Sequence, residues 1–150
     1  MPYDRKHPVH LPYIDRHDMP VIIFVTVCSR NRSPALANKT FEAVARGVWL
    51  SCTTWCVGPY LIMPDHVHFF CSPKYEAEPL RHWIAFWKRC VTRAMQLQHG
   101  FWQRDFWDTQ MRSQQDYEEK YAYVRENPVR KGLVNCTEEW PYQGILTHLV

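Results

Sequence analysis

The spacing of apolar positions changes period several times along the chain, and each change marks an element. Residues 21–28, Val-Ile-Ile-Phe-Val-Thr-Val-Cys, are a continuous β-branched and aromatic run, which predicts a central strand buried on both faces. After a polar loop over 29–38, residues 40–52 predict a helix with Thr40 as its cap and Phe41, Val44, Val48 and Cys52 at spacings of three and four. A second strand is predicted over 54–63, made irregular by Gly58-Pro59; Pro64-Asp65 turns the chain into a third strand that ends near Cys71. Residues 79–98 predict the longest helix, with Pro79 in its first turn, a stripe of Leu80, Ile84, Trp87, Val91 and Ala94, and an end at His99-Gly100. An aromatic fourth strand is predicted over 101–112. Ser113 and Asp116 then form a capping box for a helix over 114–127, which Pro128 stops. Tyr117, Tyr121 and Val124 make the inward stripe of that helix. Residues 129–150 predict mostly irregular chain, with Trp140, Pro141 and Tyr142 packing back on the body. The order is βαββαβ with one added helix. It predicts an α+β, ferredoxin-like fold: an antiparallel sheet covered on one face by helices, in a single domain over 21–150. Residues 1–20, with four prolines, predict an extended arm, which reads either as a solvated tail or, through Arg5, Lys6, Tyr13 and Arg16, as a contact for a nucleic acid strand.

Composition narrows this picture without redrawing it. At 150 residues, 46% hydrophobic and 22% charged, the chain has the make-up of one globular domain with a real core. The aromatic share of 15%, with 7 Trp and 8 Tyr, serves either that core or stacking on bases, for which Trp102 and Trp107 are candidates. A net charge of +3 permits a nucleic acid partner without requiring one. The 6 cysteines include no C-x-x-C pair, and several lie in apolar runs where a free thiol acts as a small hydrophobe. The opening is polar and proline-rich, unlike a signal peptide, and no apolar run reaches the ~18 residues of a membrane span. The expectation is a cytoplasmic protein with no membrane partner.

Candidate chemistry lies in two stretches. His66-Val67-His68 stands inside the third predicted strand, where alternate side chains share a face, so both imidazoles point the same way. They read either as half-buried histidines with backbone partners or as two nitrogen ligands to one divalent metal, with Cys71 available for a structural zinc site. On the later helix Tyr123 lies about 200° around from Tyr121, off the inward stripe. Asn127, four residues on, shares its face. A phenol needs help to act as a nucleophile. Phosphodiester cleavage needs its oxygens polarised, which a metal held by two imidazoles and the Asn127 oxygen would do.

Taken in order, Met63-Pro64-Asp65-His66-Val67-His68, Phe101-Trp102-Gln103-Arg104-x-Phe106-Trp107-Asp108, Tyr123-x-x-x-Asn127-Pro128-Val129-Arg130-Lys131-Gly132-Leu133-Val134 and Trp140-Pro141-Tyr142 resemble the single-tyrosine HUH transposases. In particular they resemble the REP-associated tyrosine transposases of bacteria. The resemblance runs from Val21 to Tyr142 with spacing and order intact. It implies that His66, His68 and Asn127 are metal ligands for Mg²⁺ or Mn²⁺, and that Tyr123 is the nucleophile, joined to a DNA 5′ phosphate as a 3′-OH is released. It implies a substrate of single-stranded DNA with a hairpin, for which Lys88, Arg89, Arg93, Arg125, Arg130 and Lys131 are the candidate phosphate contacts. Members of the wider family act as monomers or homodimers, and both states stay open. A catalytically idle module that binds single-stranded DNA or RNA hairpins is the alternative. The arm before Val21 departs from the family's usual opening, having more proline and histidine.

Overall fold

The computed structural model describes residues 8–150. Its elements in chain order are β1 (Ile23–Cys28), α1 (Lys39–Ser51), β2 (Trp55–Ile62), β3 (His66–Pro73), α2 (Leu80–Met95), β4 (Trp107–Gln110), α3 (Gln114–Arg125), α4 (Asn127–Arg130) and β5 (Gln143–Ile145). The strands form one sheet in the order β4-β1-β3-β2-β5, and every pairing is antiparallel. The α+β, ferredoxin-like expectation is borne out, except that helices cover both faces of the sheet rather than one.

The alternation of side chains along β1 and β3 sends two different cores to the two faces. Ile23, Val25, Val27, Val67, Phe69 and Cys71 face α1 and α2, where they meet Phe41, Ala45, Trp49, Trp83, Ile84 and Trp87. Two pairs of indoles stack there, Trp49 on Trp87 at 5.3 Å and Trp55 on Trp83 at 5.4 Å, so much of the aromatic content is core. Phe24 and Phe70 face the other way, onto Tyr117 and Val124 of α3 and onto Trp140. The sheet is therefore covered on both faces, and the added helix lies on the face that carries the histidines.

Several expectations are corrected. The cap of α1 is Asn38, whose side chain accepts from the Phe41 N–H at 2.8 Å, and its buried line is Phe41, Ala45 and Trp49 rather than Val44 and Val48. The helix α2 stops at Met95 because Gln96 turns left-handed at φ 53°, which leaves Ala94 exposed. The fourth strand is only Trp107–Gln110; before it Trp102 makes an isolated bridge to Ser29. The 143–145 stretch, expected to be irregular, is an edge strand on β2. Its Gly144 lies so close to Tyr60 that an added Cβ would stand 3.0 Å from the phenol oxygen.

Of the expected arm, Arg5 and Lys6 lie outside the described residues. The rest runs beside β4: the Ile14 N–H donates to Gln110 Oε1 at 2.9 Å, and Gln110 Nε2 returns a bond to the Ile14 carbonyl at 2.6 Å. His10 sits between Asp105, at 2.8 Å, and Asp108, and against the Phe106 ring. Burial by itself would lower the His10 imidazole, but the two carboxylates outweigh it and raise it above its ordinary value. Asp105 is held below the carboxylate range, because the Phe106 N–H and His10 outweigh its partial burial. The raised imidazole stabilises the docked arm below about pH 6.5 and ceases to do so as pH rises through its raised value. The depressed carboxyl contributes above about pH 4 and ceases to do so as pH falls through its lowered value. The amides of residues 9–11, 13 and 14 should therefore show higher hydrogen-exchange protection factors near pH 5.5 than near pH 9. The His10→Ala protein should show equal factors at the two.

Candidate active site

The two histidines reach their common face because β3 is regular there: His66 lies opposite Cys28 and His68 opposite Thr26 on β1, while Val67 enters the other core. Each imidazole is oriented from behind. The Nδ1 of His68 is 2.7 Å from Thr26 Oγ1, and its ring stacks on Phe24 at 5.2 Å. The Nδ1 of His66 is 2.7 Å from Asp65 Oδ1. With both Nδ1–H groups donating to those oxygens, the two Nε2 atoms are bare, and they face each other at 3.1 Å. Asn127 completes a triangle: its Nδ2 is 3.3 Å from His66 Nε2 and 3.2 Å from His68 Nε2.

Electrostatics keep the imidazoles neutral. Burial lowers His66 from its ordinary value, with Arg32 and Lys131 adding to the effect and Asp65 opposing it. Burial pushes His68 lower still, helped by His66, Lys120, Arg32 and Arg130. Behind His66, Arg32 Nε donates to Asp65 Oδ2 at 2.7 Å. Burial would raise the Asp65 carboxyl, but Arg32 and His66 hold it below the ordinary range. Arg32 achieves this contact from a left-handed backbone at φ 55°, directly after Asn31 at φ 57°. Two such residues in succession without glycine are uncommon, and local strain of this kind gathers at sites with a task.

This donor set fits a divalent cation. The three edges of the triangle, 3.1 to 3.3 Å, are those of three adjacent octahedral ligands whose bonds are about 2.2 Å long, within ~0.2 Å of the usual values. A half-turn of the Asn127 amide brings Oδ1 to the place of Nδ2. Among the described residues no group of three or more His, Cys, Asp or Glu side chains is placed to hold an ion; the polar side chain beside the two imidazole nitrogens is the Asn127 amide. Cys71 does not join the histidines: it is buried in the opposite core, against the expectation for a zinc site.

Tyr123 and Asn127 share one cavity of about 400 Å³ with Phe24, His68, Lys120, Val124, Arg130 and Lys131. The helix breaks between them, since Glu126 closes α3 and Asn127 opens α4 with Pro128 in its first turn. Tyr123 is 60% exposed, in contrast to buried Tyr117 and half-buried Tyr121. The Arg130 guanidinium lies 3.9 Å above its ring and donates to its carbonyl at 2.9 Å, which holds the phenol in place without engaging its oxygen. Lys120, one turn before Tyr123, places its ammonium 5.7 Å from the Tyr123 ring and 4.9 Å from that of Phe24.

The six basic residues singled out from sequence divide. Arg130 and Lys131 line this cavity; Arg125 does not, being turned to Glu138 at 3.8 Å and to the Tyr121 ring. Lys88, Arg89 and Arg93 lie on α2, which packs on the other face of the sheet. Lys120, Arg32, Asp65, Thr26 and Phe24 were missed. The i−3 spacing of Lys120 from Tyr123 was a readable signal; the others depend on strand register or on a loop.

No family model matches the chain. A Haemophilus influenzae protein whose name, REP-associated tyrosine transposase, is provisional is 29% identical over 96 residues, 55% of this chain and 54% of its own length. The REP-associated tyrosine transposase of Escherichia coli K12 is 25% identical over 122 residues, 79% of this chain and 73% of that protein. The chain is a homologue of the REP-associated tyrosine transposases. It thus spans about half the length of the first of these relatives and nearly three quarters of the second. The fold agrees. A REP-associated tyrosine transposase solved bound to a REP hairpin superposes with a TM-score of 0.72 over 89% of this chain and 82% of that one, at 23% identity. A provisionally named transposase of Deinococcus radiodurans superposes at 0.53 over 82% of this chain and 97% of that one, at 11% identity. No helix among the described residues is long and apolar enough to cross a membrane.

Proposed function

We propose that this chain is a metal-dependent transposase that cuts and rejoins single-stranded DNA beside hairpins, with Tyr123 as the nucleophile. The observation that carries the reading is the convergence in one cavity of an exposed, positioned phenol, a carboxamide and the His68 imidazole, whose bare nitrogen stands 3.1 Å from that of His66. Tyr123 Oη attacks the phosphorus, an O–P bond forms, and the bond to the 3′ oxygen breaks. The phenol proton leaves to solvent, and the departing oxygen takes one up to become a 3′-OH. The 5′ phosphate stays on the enzyme as a phosphotyrosine, so a second 3′-OH can reverse the reaction without an external energy source.

His66, His68 and Asn127 would hold Mg²⁺ or Mn²⁺, which when bound supplies polarisation of the phosphate oxygens. Asp65 and Thr26 fix the imidazoles in the ligand tautomer. Lys120, Arg130 and Lys131 surround the place of the scissile phosphate and neutralise its charge. All of these groups come from one chain. Lys120→Met should slow cleavage roughly 10²-fold, as expected for one lost charge-stabilising donor, while hairpin affinity changes by less than about 10-fold. Single-turnover rates at saturating DNA separate the two quantities.

The reading is tested by incubating the protein with labelled hairpin DNA carrying a single-stranded flank, taken from beside its own gene, with Mn²⁺ or Mg²⁺. A covalent protein–DNA adduct on a denaturing gel that disappears with EDTA is the expected result. Tight hairpin binding with no adduct under any metal would leave the idle binding module as the function.

A further inference from the structure

Between the docked arm and β4 lies a cavity of about 440 Å³ that shares no residue with the catalytic one. Its walls are the apolar side chains of Val9, Leu11, Pro12 and Ile14. Val9, Leu11 and Ile14 are each half exposed or more, so the arm turns apolar surface outward instead of burying it. Apolar side chains gathered around a concave space of roughly 300–1,000 Å³ with a few polar groups are the usual make-up of a small-molecule site.

The cavity is held in shape by its own contacts. The paired hydrogen bonds of Ile14 with the Gln110 amide, 2.9 and 2.6 Å, fix the arm to β4. Tyr13 sets its ring edge-on to Trp55 at 6.3 Å, and Arg16 makes a backbone bridge to buried Met19. Two guanidiniums are thereby brought to the cavity, those of Arg16 and Arg112. Arg112 is exposed and shares its charge with Asp116, 3.5 Å away. Arg16 differs: among the described residues it joins no ion pair, and its Nε is buried with no hydrogen-bond partner. A buried cationic donor left without an acceptor is unfavourable, and an anionic acceptor on a ligand would satisfy it. Asp108, the carboxylate in the lining, does not do so: its side chain is 5% exposed and is engaged by His10.

We infer that this cavity binds a small aliphatic monocarboxylate, with the carboxylate on Arg16 and the apolar tail along Val9, Leu11 and Ile14. A neutral apolar molecule would leave the Arg16 donor unsatisfied. A small polyanion would gain nothing from the apolar walls and would bring further negative charge toward Asp108. A ligand seated there touches both the arm and β4, so it holds the arm in its docked position. The site is independent of the reaction proposed above.

Decanoate is the probe, titrated below its micellar range into the full-length protein and followed by calorimetry, with decanol and acetate as controls. One decanoate should bind per chain, decanol should bind about 10-fold more weakly or worse, and acetate should not saturate over the same range. Hydrogen-exchange protection of the amides of residues 9–11, 13 and 14 should rise with decanoate and stay unchanged with acetate. Arg16→Gln should weaken decanoate about 10-fold or more and bring it level with decanol, while Arg16→Lys should recover part of the loss. Ile14→Asn, at an exposed wall position, should weaken decanoate and decanol alike, which separates a lost ligand contact from a lost fold. No saturable one-to-one binding of decanoate by the wild-type protein overturns the inference. So does equal affinity for decanol and decanoate, or wild-type decanoate affinity in either Arg16→Gln or Ile14→Asn. None of these results bears on the adduct assay, so the catalytic reading stands or falls separately.

Discussion

Tyr123→Phe abolishes the covalent adduct and lowers DNA cleavage by roughly 10⁴-fold or more, while hairpin binding stays within about 2-fold. The substitution removes one oxygen and nothing that holds the fold. Tyr123 is 60% exposed, and its ring is fixed by the Arg130 guanidinium and its carbonyl by Arg130 Nη2, contacts that phenylalanine keeps. Unchanged melting temperature and hairpin affinity are therefore part of the expectation. They separate loss of the nucleophile from loss of structure. Cleavage near the wild-type rate would remove Tyr123 from the mechanism, and Tyr121, half-buried against Phe70, offers no substitute on the same face.

The second large effect is expected at the ligand triangle. His68→Ala should weaken Mn²⁺ binding by more than ~10²-fold and abolish the adduct at ordinary metal concentrations, with partial recovery when the metal is raised. Asn127→Ala should act in the same sense. Removing the amide also takes away the polar group that stands 3.3 and 3.2 Å from the two facing imidazole nitrogens. Asp65→Asn should cost about 10–100-fold in metal affinity, because it weakens the acceptor that holds the His66 Nδ1–H without touching the donor set. Calorimetric titration of Mn²⁺ into each protein distinguishes these cases. Wild-type affinity in His68→Ala would exclude the triangle as the metal site.

Parts of this organisation were legible in one dimension because they depend on local periodicity. The period of two put His66 and His68 on one face. The spacing of 3.6 took Tyr123 off the stripe of Tyr117, Tyr121 and Val124 and aligned it with Asn127. Ser113 as a cap was equally readable: its side chain accepts from the Asp116 N–H at 3.0 Å. Boundaries failed where tertiary contact overrode the local signal. Asn38 displaced Thr40 as a cap, and the three residues of β5 became a strand only because the β2 edge was free to pair. The aromatic run from Phe101 looked like a strand, yet Trp102 turned inward onto Trp87 and left only Trp107–Gln110 to pair with β1. Trp102 for the same reason lost its place as a base-stacking candidate.

What the sequence determined by itself was the alternation that converges two imidazoles, the helical phase that exposes a phenol beside an amide, and the element order. Each follows from steric rules that act within a few residues. Tertiary structure alone decided that the two stretches, about sixty positions apart, meet with His66 and Asn127 3.3 Å from one another. It also decided that Arg32 and Asp65 stand behind one imidazole and Thr26 behind the other. It sorted the basic residues between the two faces of the sheet. Those outcomes depend on strand register and on which face each helix covers, and both are settled only when the two cores are buried together.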